Sequence, residues 1–384
     1  MKVIRLPRAK VSLGAPLPWN VRDEQGNLLL SKGYVLSSEN QLDQLLQRGA
    51  FVDVEEARLH AQSESPAQEK KVVVPLNLFG LWEKTAEELR TLCSHLDQKP
   101  DFSAQLHEFA LRILILLDSN VEIGIFRAVR QENQPLFYYG YTHAIHTGVL
   151  CVLLSRHLCW PEAQLMRLLK AALTMNLTIL ELQGQMAAQD VPMKDRQRAD
   201  IQAHPEKTVA LLTKLGVTDT DWLAAVLQHH EHVDGTGYPS RCMAVNELAI
   251  ALRVCDVLMA KISPRTLRAP LSPQDAVRQL YREDKGGPIS TAIIKAFGIY
   301  PPGDFVKLAS GELGIVVHRT ANAKAPIVAA ITDTAGRPVT RTLRRDTAQA
   351  EFAITGMHSD IALLKRLPPE RLYGFSNTAV TPNT

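Results

Sequence analysis

The run from His229 to Pro239, HHEHVDGTGYP, joins two adjacent histidines and a carboxylate to a loop holding two glycines, a tyrosine and a proline. Neutral imidazoles are common ligands for zinc, iron, manganese and nickel, so His229 and His230 together with other histidines are candidates for a metal site. Neighbouring residues on a helix project about 100° apart, so the two can face one polar site but not one ligand position. The pair alone is equally what a helix C-terminus attracts, where a cationic imidazole meets the helix dipole. The loop favours the ligand reading. Gly235 and Gly237 permit backbone conformations that other residues avoid, and Pro239 stiffens the exit. DGTGYP can therefore form a rigid lid that brings main-chain groups close to a ligand, with Asp234 suited to capping the turn.

The helix that must carry the histidine pair is DWLAAVLQHHEH, one of several segments with apolar residues at three- and four-residue spacing. FSAQLHEFALRILILL, THAIHTGVLCVLLSRHL and PEAQLMRLLKAALTM share that pattern, and helical periodicity dominates from about residue 76 to residue 300. A helix bundle is expected there. Before it, turn chemistry at Gly26 and Gly33, a capping pair of Ser38 and Gln41, an inward face of Leu42, Leu45 and Leu46, and a stop at Gly49 predict a small α+β unit over 1–54. Residues 55–75 turn polar and aperiodic, as a linker does. From 301 to 384, β-branched runs separated by Gly, Pro and Asn predict a small antiparallel sheet or barrel. The fold class is thus mainly α, a bundle flanked by a small α+β unit and a small β domain.

Composition bounds the rest. An apolar fraction of 46% suits a globular chain with a real core, and 384 residues suffice for two or three domains. Five cysteines without a CxxC pair, and the lack of a signal-like N-terminus, point to a reduced, cytoplasmic setting. No run approaches the roughly 20 apolar residues of a membrane span. A net charge of +3 without a basic stripe argues against nucleic acid as a partner. Arg337, Arg341, Arg344 and Arg345 in RPVTRTLRR could clamp phosphates, but a solvated strand face is the simpler reading.

HHEHVDGTGYP resembles the signature of the HD-GYP family, bacterial phosphohydrolases of the HD superfamily that open cyclic di-GMP with two or three metals, usually iron or manganese. Other motifs follow in the family's order over roughly Tyr138 to Leu280: YTHAIHTGVL, AHPEKTVALL, and LRVCDVLMAKIS with LSPQDAV. The resemblance implies an HD-type bundle, metal ligands at His146, His204, His229, His230 and Asp256, and substrate contacts from Gly235, Gly237, Tyr238 and Pro239. Asp256 lies inside an apolar run and, if buried, needs a partner such as a metal or a histidine.

The name-giving pair is missing. Where the family writes AALLHDIGK this chain has AALTMNLTI, so Met175 replaces the histidine, Asn176 the aspartate and Ile179 the phosphate-contacting lysine. No His or Asp occurs between His157 and Asp190, so a shifted alignment recovers nothing. An aspartate between two dications screens their repulsion; Asn176 carries no charge, and the thioether of Met175 is too soft for these cations. A dinuclear centre is not expected. His204 and His229 with His230 can still make a three-nitrogen site for one divalent ion, iron, manganese or zinc. The resemblance therefore implies a catalytically impaired binding or regulatory module in cyclic di-GMP signalling, with cyclic di-GMP, a diguanylate cyclase or another signalling protein as partner. The competing expectation is a phosphodiesterase working on cyclic di-GMP or a related ester.

Overall fold

In the N-terminal unit four short strands, β1 (Val3–Arg5), β2 (Val21–Arg22), β3 (Leu28–Leu30) and β4 (Phe51–Asp53), form an antiparallel sheet in the order β1-β4-β2-β3. Helix α1 (Glu39–Gln47) begins where the Ser38 hydroxyl accepts the Gln41 N–H, and it ends before Gly49 at positive φ. Leu42 and Leu45 join Trp19, Val21, Leu36 and Val52 in a small core of their own. The computed structural model describes residues 3–11, 13, 15–36, 38–57, 77–99, 101–131, 134–358 and 368–374. The polar stretch expected at 55–75 lies, from residue 58 on, outside them. The chain divides into two compact units, Met1–Leu76 and Asn77–Thr384.

The second unit is built around α5 (Tyr139–His157), in which every residue from Tyr139 to Ser155 is buried. A helix apolar on nearly all sides must be enclosed by others. Around it stand α2 (Leu78–Cys93), α3 (Phe102–Ser119), α4 (Val121–Val129), α6 (Glu162–Thr174), α7 (Leu180–Ala188), α8 (Asp195–Lys214), α9 (Thr220–Gln228), α10 (Glu247–Ile262), α11 (Pro273–Glu283) and α12 (Pro288–Phe297). Side-chain caps start several of these: Asn77 on α2, Asn120 on α4, Asp219 on α9, Asn246 on α10 and Ser272 on α11. Among the described residues, no helix is long and apolar enough to cross a membrane.

After the bundle, β5 (Phe305–Leu308), β6 (Leu313–His318), β7 (Ile327–Thr332), β8 (Pro338–Asp346) and β9 (Ile354–Met357) form an antiparallel sheet in the order β8-β7-β6-β5-β9. Phe305, Ile315, Val317, Ala329 and Ile331 from one of its faces belong to the same core as the helices. A two-pronged ion pair reinforces this seam. Arg319, just past β6, places Nη2 and Nε 2.9 and 3.0 Å from the carboxylate of Glu122 on α4. The fold is therefore a mostly helical HD-type bundle with a small mixed N-terminal unit and a C-terminal antiparallel sheet.

Candidate metal and ligand site

Three imidazoles converge at one end of the bundle, where α8 meets the end of α9. His204, His229 and His230 each offer a ligand atom, and these atoms lie within 4.8 Å of one another. The sequence explains the pose of the first. Pro205 follows His204 in the middle of α8 and has no N–H, so it cannot make the helical bond to the carbonyl of Ile201 four residues back. That carbonyl instead accepts Nδ1–H of His204 at 2.5 Å. In the last turn of α9, where helix carbonyls run out of donors, Val226 O accepts Nδ1–H of His229 at 2.7 Å.

Carbonyl oxygens only accept, so each ring carries its proton on Nδ1 and turns the Nε2 lone pair outward. The two Nε2 atoms then face each other at 3.1 Å. Two lone pairs at that distance repel unless a cation or a shared proton lies between them. A proton is disfavoured, because burial pushes the His204 pKa down to about 3, with the neighbouring His229 adding to the shift. Burial also lowers His229 and His230. Neutral, outward-facing imidazole nitrogens are the donor set a transition metal requires, and the residues present fit one such ion.

His230 is held from the loop side. Its ring stacks on Tyr238, centroids 4.5 Å apart and planes 20° from parallel. The loop is folded tightly on itself: Tyr238 N donates to His230 O at 3.1 Å, and Glu231 Oε1 accepts Ser240 N at 2.6 Å. Asp234 accepts both N–H and hydroxyl of Thr236, the turn-capping role its position suggested. Gly237 crosses over the strap from His230 to His232 so closely that a Cβ would stand 2.5 Å from three of its backbone atoms. Gly235 has φ +73°. Pro239 follows Tyr238 through a cis peptide bond.

Asp256, on α10, is the carboxylate whose charge acts on all three histidines. Its direct partner is His143, whose Nε2 lies 2.6 Å from Oδ1. Burial alone would raise the Asp256 pKa; the hydrogen bond and charge of His143, then His230 and His229, outweigh it and hold the carboxyl below the usual range. His143 is itself stacked on Tyr139, 5.4 Å between centroids and 8° between planes. The Tyr139 hydroxyl accepts from Arg265 at 2.6 Å, and the guanidinium also covers the ring at 4.9 Å. Arg268 donates to Ala260 O nearby. Neither arginine has a carboxylate partner among the described residues.

The histidine of α5 at this carboxylate is therefore His143, three residues before His146. Three residues on a helix rotate the side chain by about 60° from alignment, and His146 is enclosed elsewhere in the core. It is 4% exposed, its Nδ1 lacks a partner, and burial followed by the charges of Arg127 and His143 pushes its pKa down to about 3. YTHAIHTGVL offers two histidines, and only their burial geometry tells them apart. Met175 and Asn176 are buried at the end of α6, and Ile179 starts α7. The turn between these helices lies against α8, where Thr178 and Thr208 share a 2.9 Å hydroxyl contact. Three of the four C-terminal arginines are engaged separately: Arg345 pairs with Glu312, Arg337 with Asp333, and Arg344 covers Tyr373.

This bundle contains a recognisable family segment. Residues 127–286 match the family model described as an HD domain, which takes in α5 through α11 and every residue of the site. The chain is distantly homologous to the HD-GYP cyclic di-GMP phosphodiesterases. Cyclic di-GMP phosphodiesterase PA4108 of Pseudomonas aeruginosa is 27% identical over 186 residues, covering 47% of this chain and 45% of that protein. The chain thus spans less than half the length of this curated relative. Among solved structures, Bd1817, a HDG"Y"P protein from Bdellovibrio bacteriovorus, aligns with 76% of this chain and 97% of its own at 14% identity and a TM-score of 0.43.

Proposed function

We propose that this chain is a catalytically impaired HD-GYP-type module that binds cyclic di-GMP or a related phosphodiester and serves a regulatory role. One observation carries the reading: Asp256, the carboxylate acting on the three histidines, is already committed to His143 at 2.6 Å. Met175 and Asn176 at the end of α6 supply no carboxylate to bridge two dications, whose mutual repulsion at a few ångströms is severe. His204, His229 and His230 would hold a single divalent ion, which would supply a Lewis acid for a phosphate oxygen. Arg265 and Arg268, without carboxylate partners among the described residues, suit the ligand's phosphates. The relation to a cyclic di-GMP phosphodiesterase supports the choice of ligand, and a diguanylate cyclase or another signalling protein fits as the downstream partner.

Titration calorimetry with cyclic di-GMP tests this reading. The expected result is saturable binding, weakened about tenfold or more by Arg265→Ala through loss of a charge-assisted phosphate contact. No binding by the folded protein contradicts it.

The facing Nε2 atoms of His204 and His229 also favour a second reading, a slow single-metal phosphodiesterase. Turnover of the wild-type protein that His204→Ala abolishes would select it.

A further inference from the structure

The ring of His204 bonds the carbonyl that the next residue, Pro205, leaves free. We infer that Pro205 is a positioning residue: by withholding an N–H from Ile201 O it locks His204 in the Nδ1–H form and directs Nε2 into a three-imidazole site for one zinc-class ion. The inference concerns the site on which the proposed function rests, but it needs neither nucleotide nor turnover.

In α8 the carbonyl of residue 201 would normally be consumed by the N–H of residue 205. Proline removes that donor, which weakens the helix interior. A half-buried carbonyl left without a donor also carries a cost. The ring of His204 occupies the vacancy at 2.5 Å, which fixes both its tautomer and its rotation. Any other residue at 205 restores a competing N–H. The imidazole can then release the carbonyl, rotate, or protonate Nε2, and each of these spoils the 3.1 Å opposition to His229 Nε2. The stability given up at Pro205 thus has a counterpart in ligand geometry, since hydrogen bonds that orient a ligating histidine commonly govern metal affinity by 10- to 100-fold.

The donor set also selects the ion. His204, His229 and His230 form the only group of three or more potential ligands brought together among the described residues, and it contains no carboxylate. Imidazole nitrogens suit zinc, iron, nickel and copper, whereas manganese and magnesium favour carboxylate and water oxygens.

The test compares wild-type and Pro205→Ala apoproteins, full length and without nucleotide. Nitrogen-15 NMR of the imidazoles at neutral pH is expected to show His204 protonated at Nδ1 in the wild type and a mixture of tautomers in the variant. Titration with cobalt or zinc is expected to give one site, with affinity reduced about tenfold or more by Pro205→Ala. The melting temperature should hold or rise, because alanine is the better helix former. Manganese in large excess should not displace the bound ion. In a His204→Gln background, Pro205→Ala should cause no further loss of affinity, which separates positioning from general disruption. If Pro205→Ala does not fold, Pro205→Ser restores the same N–H and serves in its place. Unchanged tautomer and affinity, a loss of affinity matched by a loss of stability, displacement by manganese, or two tight sites would each overturn the inference.

Discussion

Nε2 of His143 lies 2.6 Å from Oδ1 of Asp256, joining α5 to α10 across 113 residues of sequence. Both groups are buried, and the pair is supported in turn by Tyr139 and Arg265. Removing one member of a buried pair strands the other charge, a loss of about 3–5 kcal/mol, whereas removing both leaves less uncompensated. His143→Ala should therefore destabilise the protein by several kcal/mol in urea unfolding. Adding Asp256→Ala should recover part of that loss. Strictly additive single effects would show that the two side chains are not coupled.

The loop supplies a prediction from steric contact alone. Gly235→Ala strains a positive φ but meets its nearest neighbours at 3.4 Å or beyond, whereas Gly237→Ala drives a Cβ to 2.5 Å from the backbone of residues 230–232. Backbone cannot yield as a side-chain tip can. Gly237→Ala should cost about 1–3 kcal/mol and disturb the stacking of Tyr238 on His230, seen as faster amide exchange in the loop. Gly235→Ala should cost about 1–2 kcal/mol from its positive φ and leave the stacking of Tyr238 on His230 in place. The reverse order of effects would contradict the described loop packing.

Acid sensitivity follows from His146. Its folded-state pKa is pushed down to about 3, from an ordinary value of 6.5, so the unfolded chain binds the proton that the folded chain refuses. Stability from this group is complete above about pH 6.5 and declines as pH falls toward about 3. One proton corresponds to a slope of about 1.4 kcal/mol per pH unit. His146→Leu should reduce the acid slope of the unfolding free energy by about that amount between roughly pH 6 and pH 4. An unchanged slope would mean that His146 is protonated in the folded protein.

Much of this fold was legible in residue patterns because each pattern has a direct local cause. Ser38 and Gln41 start α1, apolar spacing marks the bundle helices, and β-branched runs mark β5 through β8. The HHEHVDGTGYP run identified two of the three converging imidazoles and the loop that packs on them. The partner of Asp256 was less accessible. A requirement for one follows from burying a carboxylate, but its identity depends on how α5 is rotated against α10, which His143 and His146 leave ambiguous in sequence. The part played by Pro205 was readable in principle, since a proline in a helix always frees the carbonyl four residues back. What sequence does not reveal is that the preceding histidine claims it.

A site that lacks a complete reaction centre, as proposed, binds cyclic di-GMP and leaves it uncut. Chromatography of cyclic di-GMP after prolonged incubation with the metal-loaded protein is therefore expected to show intact nucleotide at the level of the protein-free control. Linear or mononucleotide product formed by the wild-type protein and abolished by His204→Ala would refute the proposal.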